Sequence, residues 1–201
     1  MAISFLGALY RHDAADHEFA QKCARALEHL QAMSDADLLA ALADPRELHA
    51  FLYRDLAPTA SPELAGNFRG SDFASLHDLI VFYSFNETEG TTAIAGPHRV
   101  AELMAEYAGL VRDLGLPQVT TVDEGLLRVA EIVSLFFVVR PFIDGNGHVL
   151  RITAQCLLER GGLVMTPAWS VHPCPYGEDM HRALAARDEP AVAAKLREFV
   201  A

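Results

Sequence analysis

Three observations in the sequence predict an all-α fold. Apolar residues recur at helical spacing in one segment after another, strong helix formers dominate these segments, and Pro or Gly separates them. A short stretch, Gly66-Asn67-Phe68-Arg69, is flanked by turn residues and predicts a small β-hairpin. No fixed-period repeat and no Ser/Pro-rich tract marks a boundary, so residues 1–201 are expected to form a single domain.

The predicted helices follow from their start and stop signals. In chain order they cover residues 13–33, 34–44, 45–56, 71–85, 97–114, 121–139, 148–159, 178–187 and 190–199. Ser34 and Thr121 have the hydroxyl groups and the acidic residues downstream that are typical of N-caps. The helix after Thr121 is almost wholly apolar from Val129 onward, which indicates a central helix surrounded by others.

Composition and charge argue against several classes of partner. The formal net charge is −11, which opposes binding to nucleic acids or to anionic membranes. The longest apolar run, residues 132–139, is too short to span a bilayer. The three cysteines form no CxxC pair and the first residues lack the features of a secretory signal, so a cytoplasmic protein is expected.

One run between two predicted helices points to ligand chemistry. It reads Arg140-Pro141-Phe142-Ile143-Asp144-Gly145-Asn146-Gly147-His148-Val149-Leu150-Arg151. Glycines in such a turn let backbone N–H groups approach a ligand, and the following helix directs its positive dipole end to the same place. Gly145, Asn146 and Gly147 are therefore candidates for an anion-binding nest. An ordinary left-handed turn would have the same composition.

Two charged residues in this run are candidate ligands. Asp144 could hold Mg²⁺, since a carboxylate next to an anion site suits a metal that also binds phosphate oxygens. The alternative is a turn residue that accepts a hydrogen bond from its own backbone. Arg151 could clamp a phosphate, and its alternative is a structural ion pair with Glu124 or Glu131.

The run resembles the signature of the Fic family, His-Pro-Phe-x-(Asp/Glu)-Gly-Asn-Gly-Arg-x-x-Arg. The residues that agree are Pro141, Phe142, Asp144, Gly145, Asn146, Gly147 and Arg151. Gly66-Asn67-Phe68-Arg69 is similar to the Gly-x-aromatic-Arg stretch of that family's flap hairpin, which would make Phe68 and Arg69 flap residues. The resemblance covers residues 66–162 and implies a Fic-like helical bundle, extended by helices within residues 1–60 and 163–201.

The resemblance also implies a chemistry that two substitutions alter. Most Fic proteins transfer AMP from ATP to a protein hydroxyl, with the motif His as base and the acidic residue holding Mg²⁺. Here Arg140 stands at the His position and His148 at the first Arg position. A guanidinium with a pKa above ~12 cannot take a proton near pH 7. Arg140 is then a phosphate clamp, an ion-pair partner of Asp144 or a residue of an inactive site, and His148 is either an alternative base or a surface residue.

Two functions are therefore expected. The first is a non-standard Fic-type transferase that binds ATP or another phosphate-bearing donor with Mg²⁺ and acts without the usual base, on a nucleophile other than a protein hydroxyl. The second is a Fic-fold pseudoenzyme that serves as a phosphate- or nucleotide-binding regulatory or interaction module. His172 and His181 match no tetrahedral metal spacing and are interpreted as structural. Glu89-Gly90 lacks the Ser or Thr of the family's inhibitory helix, so no self-inhibition by that device is expected.

Overall fold

The computed structural model describes residues 16–81, 94–114 and 121–201, and these residues form eight α-helices. In chain order they are α1 (His17–Gln31), α2 (Asp35–Ala43), α3 (Arg46–Tyr53), α4 (Val100–Asp113), α5 (Val122–Val139), α6 (Asn146–Arg160), α7 (Glu178–Ala186) and α8 (Glu189–Arg197). The described residues contain no β-strand, and one isolated antiparallel bridge joins Met165 to Val200. The prediction of an all-α fold is confirmed.

Helix α5 is the centre of the fold, as its apolar sequence predicts. It packs against α4, α6, α7 and α8, and its last two turns are buried almost completely. Each buried Leu, Val, Ile or Phe of this helix contributes about 1.5–3 kcal/mol through removal from water. Although α5 is apolar, neither it nor any other helix in the described ranges has both the length and the hydropathy needed to cross a membrane.

Helices α1 to α3 cover one side of this centre, where α1 packs on α3 and α6 and α2 packs on α4. Their boundaries follow from side-chain caps. Ser34 Oγ accepts a hydrogen bond from the backbone N–H of Asp37 at 3.2 Å, and Thr121 Oγ1 accepts one from Glu124 at 3.2 Å. Both predicted caps are confirmed. The predicted start of the first helix, residues 13–15, lies outside the described residues.

The segment after α3 differs from the prediction. Residues 71–81 form turns rather than a helix, and residues 66–69 form no strand, so neither the predicted helix nor the predicted hairpin is present here. Residues 82–85 of that helix lie outside the described part of the chain. The reason is that the Gly70 N–H donates to the Leu76 carbonyl at 2.7 Å, which folds the segment back on itself. Phe73 and Ile80, which supplied the helical spacing, are 46% and 44% exposed.

The side chain of Arg69 holds this folded-back segment against the end of α5. Arg69 is only 1% exposed. Its guanidinium donates hydrogen bonds to the carbonyls of Val139 (2.7 Å), Arg140 (2.7 Å), Leu79 (3.0 Å) and Ala95 (2.7 Å). Burial, and secondarily the charge of Arg140, lower the pKa of Arg69 to about 10, which leaves the group cationic at neutral pH. A cation at the C-terminal end of a helix also complements the helix dipole.

Replacement of Arg69 by Met is expected to destabilise the fold strongly. The substitution keeps much of the buried volume but leaves several buried carbonyls without a donor, at a cost of about 3 kcal/mol or more. Urea denaturation followed by circular dichroism measures this loss. Arg112→Met, on the exposed face of α4, is the matched control and should change the free energy of unfolding by less than about 0.5 kcal/mol. An equal loss of unfolding free energy in both variants would contradict the stabilising role of the Arg69 hydrogen bonds.

Candidate functional site

The loop between α5 and α6 is held by its own side chains. Arg140 ends α5 in a left-handed conformation with φ of 42°, and its N–H donates to the Phe136 carbonyl at 3.0 Å. The side chain of Asn146 bonds twice to Phe142: its Oδ1 accepts from the backbone N–H at 3.0 Å and its Nδ2 donates to the carbonyl at 2.9 Å. Asn146 thus closes the loop and places the first turn of α6 beside the end of α5.

Gly145 is required by both conformation and space. Its φ is 75°, in the left-handed region that favours glycine. A Cβ atom at this position would lie 2.2 Å from a ring carbon of Tyr53. The glycine that precedes α6 therefore allows α3 to pack directly against the loop.

His49 of α3 contacts the loop between α5 and α6 through a hydrogen bond and a ring stack. The sequence motif did not predict this role of His49. Its Nδ1 accepts a hydrogen bond from the Gly66 N–H at 2.9 Å, so Nε2 carries the proton and donates to the Asp144 carbonyl at 3.0 Å. The ring stacks on Phe142 with centroids 3.8 Å apart. His49 is fully buried, and burial lowers its pKa to about 3, although the bond to Asp144 opposes this shift. The imidazole is consequently neutral and structural.

Two arginines and the start of α6 line a small, partly open cavity of about 100 Å³. The residues that line it are Phe137, Arg140, Asn146, Gly147, Leu150, Arg151, Tyr176 and His181. At the start of α6 the His148 N–H donates to the Gly145 carbonyl at 3.1 Å and the Gly145 N–H to Asp144 Oδ1 at 2.7 Å. Among the described residues nothing accepts from the N–H groups of Asn146 and Gly147, and the helix dipole adds positive potential at the same end. Guanidinium groups and helix N-terminal N–H groups are the donors that proteins use for phosphate. The cavity therefore has the chemistry of an anion site.

Arg151 is positioned by a backbone carbonyl. Its Nε donates to the Val171 carbonyl at 2.7 Å, and the side chain is 5% exposed. A Cβ atom added at Gly147 would lie 3.0 Å from Nη1 of Arg151, so this glycine lets the guanidinium lie directly against the helix N-terminus. The described residues place no acidic side chain on Arg151, and neither Glu124 nor Glu131 pairs with it. The alternative of an ion pair with Glu124 or Glu131 is therefore not what the structure shows, and the phosphate clamp stays a prediction.

His148 lies outside the cavity lining, in a chain of three polar aromatic side chains. Its Nδ1 is 2.7 Å from the Tyr53 hydroxyl, and its Nε2 is 3.1 Å from Nδ1 of His172. The ring is 8% exposed and contacts Phe19 edge-on at 4.9 Å. Both ring nitrogens are therefore engaged on the side of α6 that faces α1 and α3. This placement gives no support to the prediction that His148 acts as a base.

Asp144 supplies one carboxylate near the site, half-buried but not among the cavity-lining residues. Its Oδ1 accepts the Gly145 N–H at 2.7 Å, as the turn interpretation expects. In the described part of the chain no three His, Cys, Asp or Glu side chains converge into a metal-binding group. Mg²⁺ commonly takes one or two carboxylates and completes its shell with phosphate oxygens and water, so Asp144 could serve only together with a bound phosphate.

Phe68 and Arg69, the two residues predicted for a flap, pack against other side chains or are buried. Phe68 packs its ring 5.2 Å from that of Phe142, with the Arg46 guanidinium 5.5 Å from its centroid. Arg69 is buried as described above. Of the predicted site residues, the structure brings Arg140, Asn146, Gly147 and Arg151 to the cavity, whereas Phe68, Arg69, Asp144, Gly145 and His148 do not line it.

His181, which was predicted to be structural, also lines the cavity. It reaches the cavity from α7, between the rings of Phe137 at 6.2 Å and Tyr176 at 5.2 Å. Burial, then the charges of Arg151 and Arg140, lower its pKa below 6.5, and Glu178 opposes them. The only sequence signal was a histidine at the start of a helix, which by itself indicates no function.

Comparison with known proteins identifies the fold. No protein-family model matches the sequence, and no curated protein matches it. Solved structures do match: the N-terminal FIC domain of Bep8 from Bartonella sp. 1-1C gives a TM-score of 0.60 at 14% identity, over 89% of this chain and 82% of that chain. The chain has the Fic fold.

Two further structures give the same result. The BepC effector protein from Bartonella tribocorum, solved with bound AMPPNP, has a TM-score of 0.59 at 12% identity, over 92% of this chain and 87% of that chain. The N-terminal Fic domain of a putative cell filamentation protein from Bartonella quintana has a TM-score of 0.57 at 14% identity, over 91% and 82% of the two chains. The Fic fold expected from segment 140–151 is thus confirmed, and identities this low concern the fold alone.

The neutral state of His49 makes the stability of the fold depend on pH. The pKa of about 3 in the folded protein lies below the ordinary 6.5, so the unfolded chain binds the proton first. The contribution is complete above pH 6.5 and is lost as pH falls toward 3. As pH falls from 6.5 toward 3, protonation of His49 in the unfolded chain should lower the free energy of unfolding by up to about 1.4 kcal/mol for each pH unit.

His49→Gln keeps an N–H donor and cannot titrate. Urea unfolding between pH 7.5 and 4.5 should therefore show a shallower pH slope in this variant, even if it starts from a lower stability. The exposed His29→Gln is the control and should keep the wild-type slope. A wild-type slope in His49→Gln as well would show that His49 is not the titrating group.

Proposed function

We propose that this Fic-fold protein binds a phosphate group of a nucleotide in the cavity between Arg140 and Arg151. One observation carries the proposal: two guanidinium-bearing residues and the first residues of α6 line the same small cavity. Such a space attracts a multiply charged anion, because each charged donor forms a stronger hydrogen bond than a neutral one. The AMPPNP bound to BepC supports a nucleotide as the ligand.

The volume of the cavity limits how much of the ligand it holds. A cavity of about 100 Å³ has room for an anion of the size of one phosphate group. Whole-ligand pockets are usually larger, roughly 300–1,000 Å³. The nucleoside would therefore lie outside the cavity, with the phosphate as the anchored end.

Binding is better supported than transfer chemistry. The residue at the position of the motif base is Arg140, which cannot accept a proton at neutral pH. His148 is engaged with Tyr53 and His172 outside the cavity. Group transfer is a second candidate function, favoured by the placement of both guanidinium-bearing residues where negative charge would develop on a reacting phosphate. A transferase of this kind would need a nucleophile that is already neutral and unprotonated.

Loss of the cavity arginines should weaken binding of phosphate-bearing ligands. We expect ATP and AMP to bind, adenosine not to bind, and Arg140→Gln or Arg151→Gln to reduce the affinity for AMP about tenfold or more, since each removes a charged donor. Isothermal titration calorimetry measures these affinities. Arg54→Gln, which replaces an exposed arginine that does not line the cavity, is the control and should bind as the wild type does.

Experiments with phosphate-bearing ligands also distinguish a binding module from a transferase. Absence of binding by the wild-type protein to every phosphate-bearing ligand would overturn the proposal. Incubation with ATP labelled at the α- or γ-phosphate, together with candidate acceptor proteins and amines, tests for transfer. Binding without transfer would leave the regulatory or interaction module, and label transfer lost in Arg140→Gln would establish the transferase.

The role predicted for Asp144 can be tested separately. If Asp144 holds Mg²⁺ against a bound polyphosphate, Mg²⁺ should strengthen ATP binding several-fold in the wild type and have no such effect in Asp144→Asn, because the amide has lost the charge that Mg²⁺ prefers. AMP binding in the presence of EDTA should be similar in both proteins. An equal effect of Mg²⁺ on ATP binding in both proteins would remove Asp144 from the metal site.

A further inference from the structure

We propose that His181 is the third cationic ligand of the phosphate, and that phosphate binding in this cavity is therefore accompanied by proton uptake. This inference rests on the proposed function of the cavity and adds the class of ligand it selects: a dianionic terminal phosphate, as in a phosphomonoester. The family motif in segment 140–151 does not contain this residue.

His181 shares the cavity with two arginines. Three basic residues line the cavity, and each comes from a different element: Arg140 from the end of α5, Arg151 from α6 and His181 from α7. The imidazole packs against the rings of Phe137 and Tyr176, so its position is set by aromatic contacts on two sides. A phosphate inside so small a cavity would lie near all three groups.

Three charged side chains surround His181. Arg151 and Arg140 face it from α6 and from the end of α5, and Glu178 lies one turn earlier on its own helix. Glu178 is itself paired with Arg182 at 3.3 Å, which weakens its influence on the imidazole. Burial and the two guanidinium charges hold the pKa of His181 below 6.5. Without an anion in the cavity the imidazole is therefore neutral at pH 7.

A bound dianion reverses this balance. Its two negative charges offset those of Arg140 and Arg151, and its oxygens offer acceptors that favour the protonated imidazole. The pKa of His181 must then be higher in the complex than in the free protein. By linkage, affinity rises as pH falls through the interval between the two pKa values, by up to about tenfold per pH unit.

With the proton bound, the two guanidinium groups and the imidazolium carry three positive charges. A terminal phosphate with two negative charges offsets more of this charge than a phosphodiester, which has only one. Methyl phosphate is therefore expected to bind about tenfold or more tightly than dimethyl phosphate at pH 7. Equal affinities for the two probes would overturn the inference.

Sulfate is a suitable probe for the proton, because it stays dianionic across the neutral range and does not titrate itself. Calorimetry of sulfate binding at pH 7, in two buffers that differ in ionisation enthalpy, reports the protons taken up from the buffer. We expect uptake by the wild-type protein, little or none by His181→Gln, and wild-type behaviour in His98→Gln, which replaces an exposed histidine away from the cavity.

A second measurement needs no stable variant. In wild-type protein labelled at histidine, nuclear magnetic resonance follows the imidazole of His181, whose pKa should rise when sulfate is added. Sulfate binding with an unchanged pKa of His181, or with the same proton uptake in His181→Gln, would overturn this inference and leave the proposed function standing. Absence of sulfate, phosphate and nucleotide binding by the wild-type protein would overturn both.

Discussion

The buried guanidinium of Arg69 joins three separate parts of the chain, and the candidate site depends on that junction. A helix leaves its last carbonyls without intrahelical donors. Here Arg69 supplies donors to two of them, at Val139 and Arg140, and at the same time binds the carbonyls of Leu79 and Ala95. The end of α5 is therefore held at a defined place relative to segments that have no regular structure of their own.

The N-terminus of α6 separates two environments with different electrostatics. On one face, Gly147 and Arg151 contribute to the small cavity with its basic residues. On another, His148 belongs to a chain of polar rings with Tyr53 and His172. His49, beneath the loop, is kept neutral by burial. The same residue type thus packs the scaffold at one position and faces the cavity at another, and only its surroundings distinguish the two.

Local patterns predicted what depends on local physics. The caps at Ser34 and Thr121, the apolar helix α5 and the turn before α6 all follow from nearby residues, and the motif contains Arg140 and Arg151, which line the same cavity. Contacts between distant parts of the chain could not be predicted in this way. His49 and Asp144 are 95 positions apart, and His181 reaches the cavity only through the packing of α7. The helical spacing over residues 71–81 was misleading because hydrogen bonds from Gly70 and Arg69 use carbonyls within that segment.

The left-handed backbone at Arg140 has a consequence for how this site can change over generations. Its amide and its carbonyl are anchored to Phe136 and to Arg69, so these two hydrogen bonds hold the main chain at this position without involving the Arg140 side chain. The φ of 42° disfavours β-branched residues but accepts Arg, His or Asn at a modest cost. One codon change can therefore exchange the functional group presented to the cavity while the surrounding architecture stays intact.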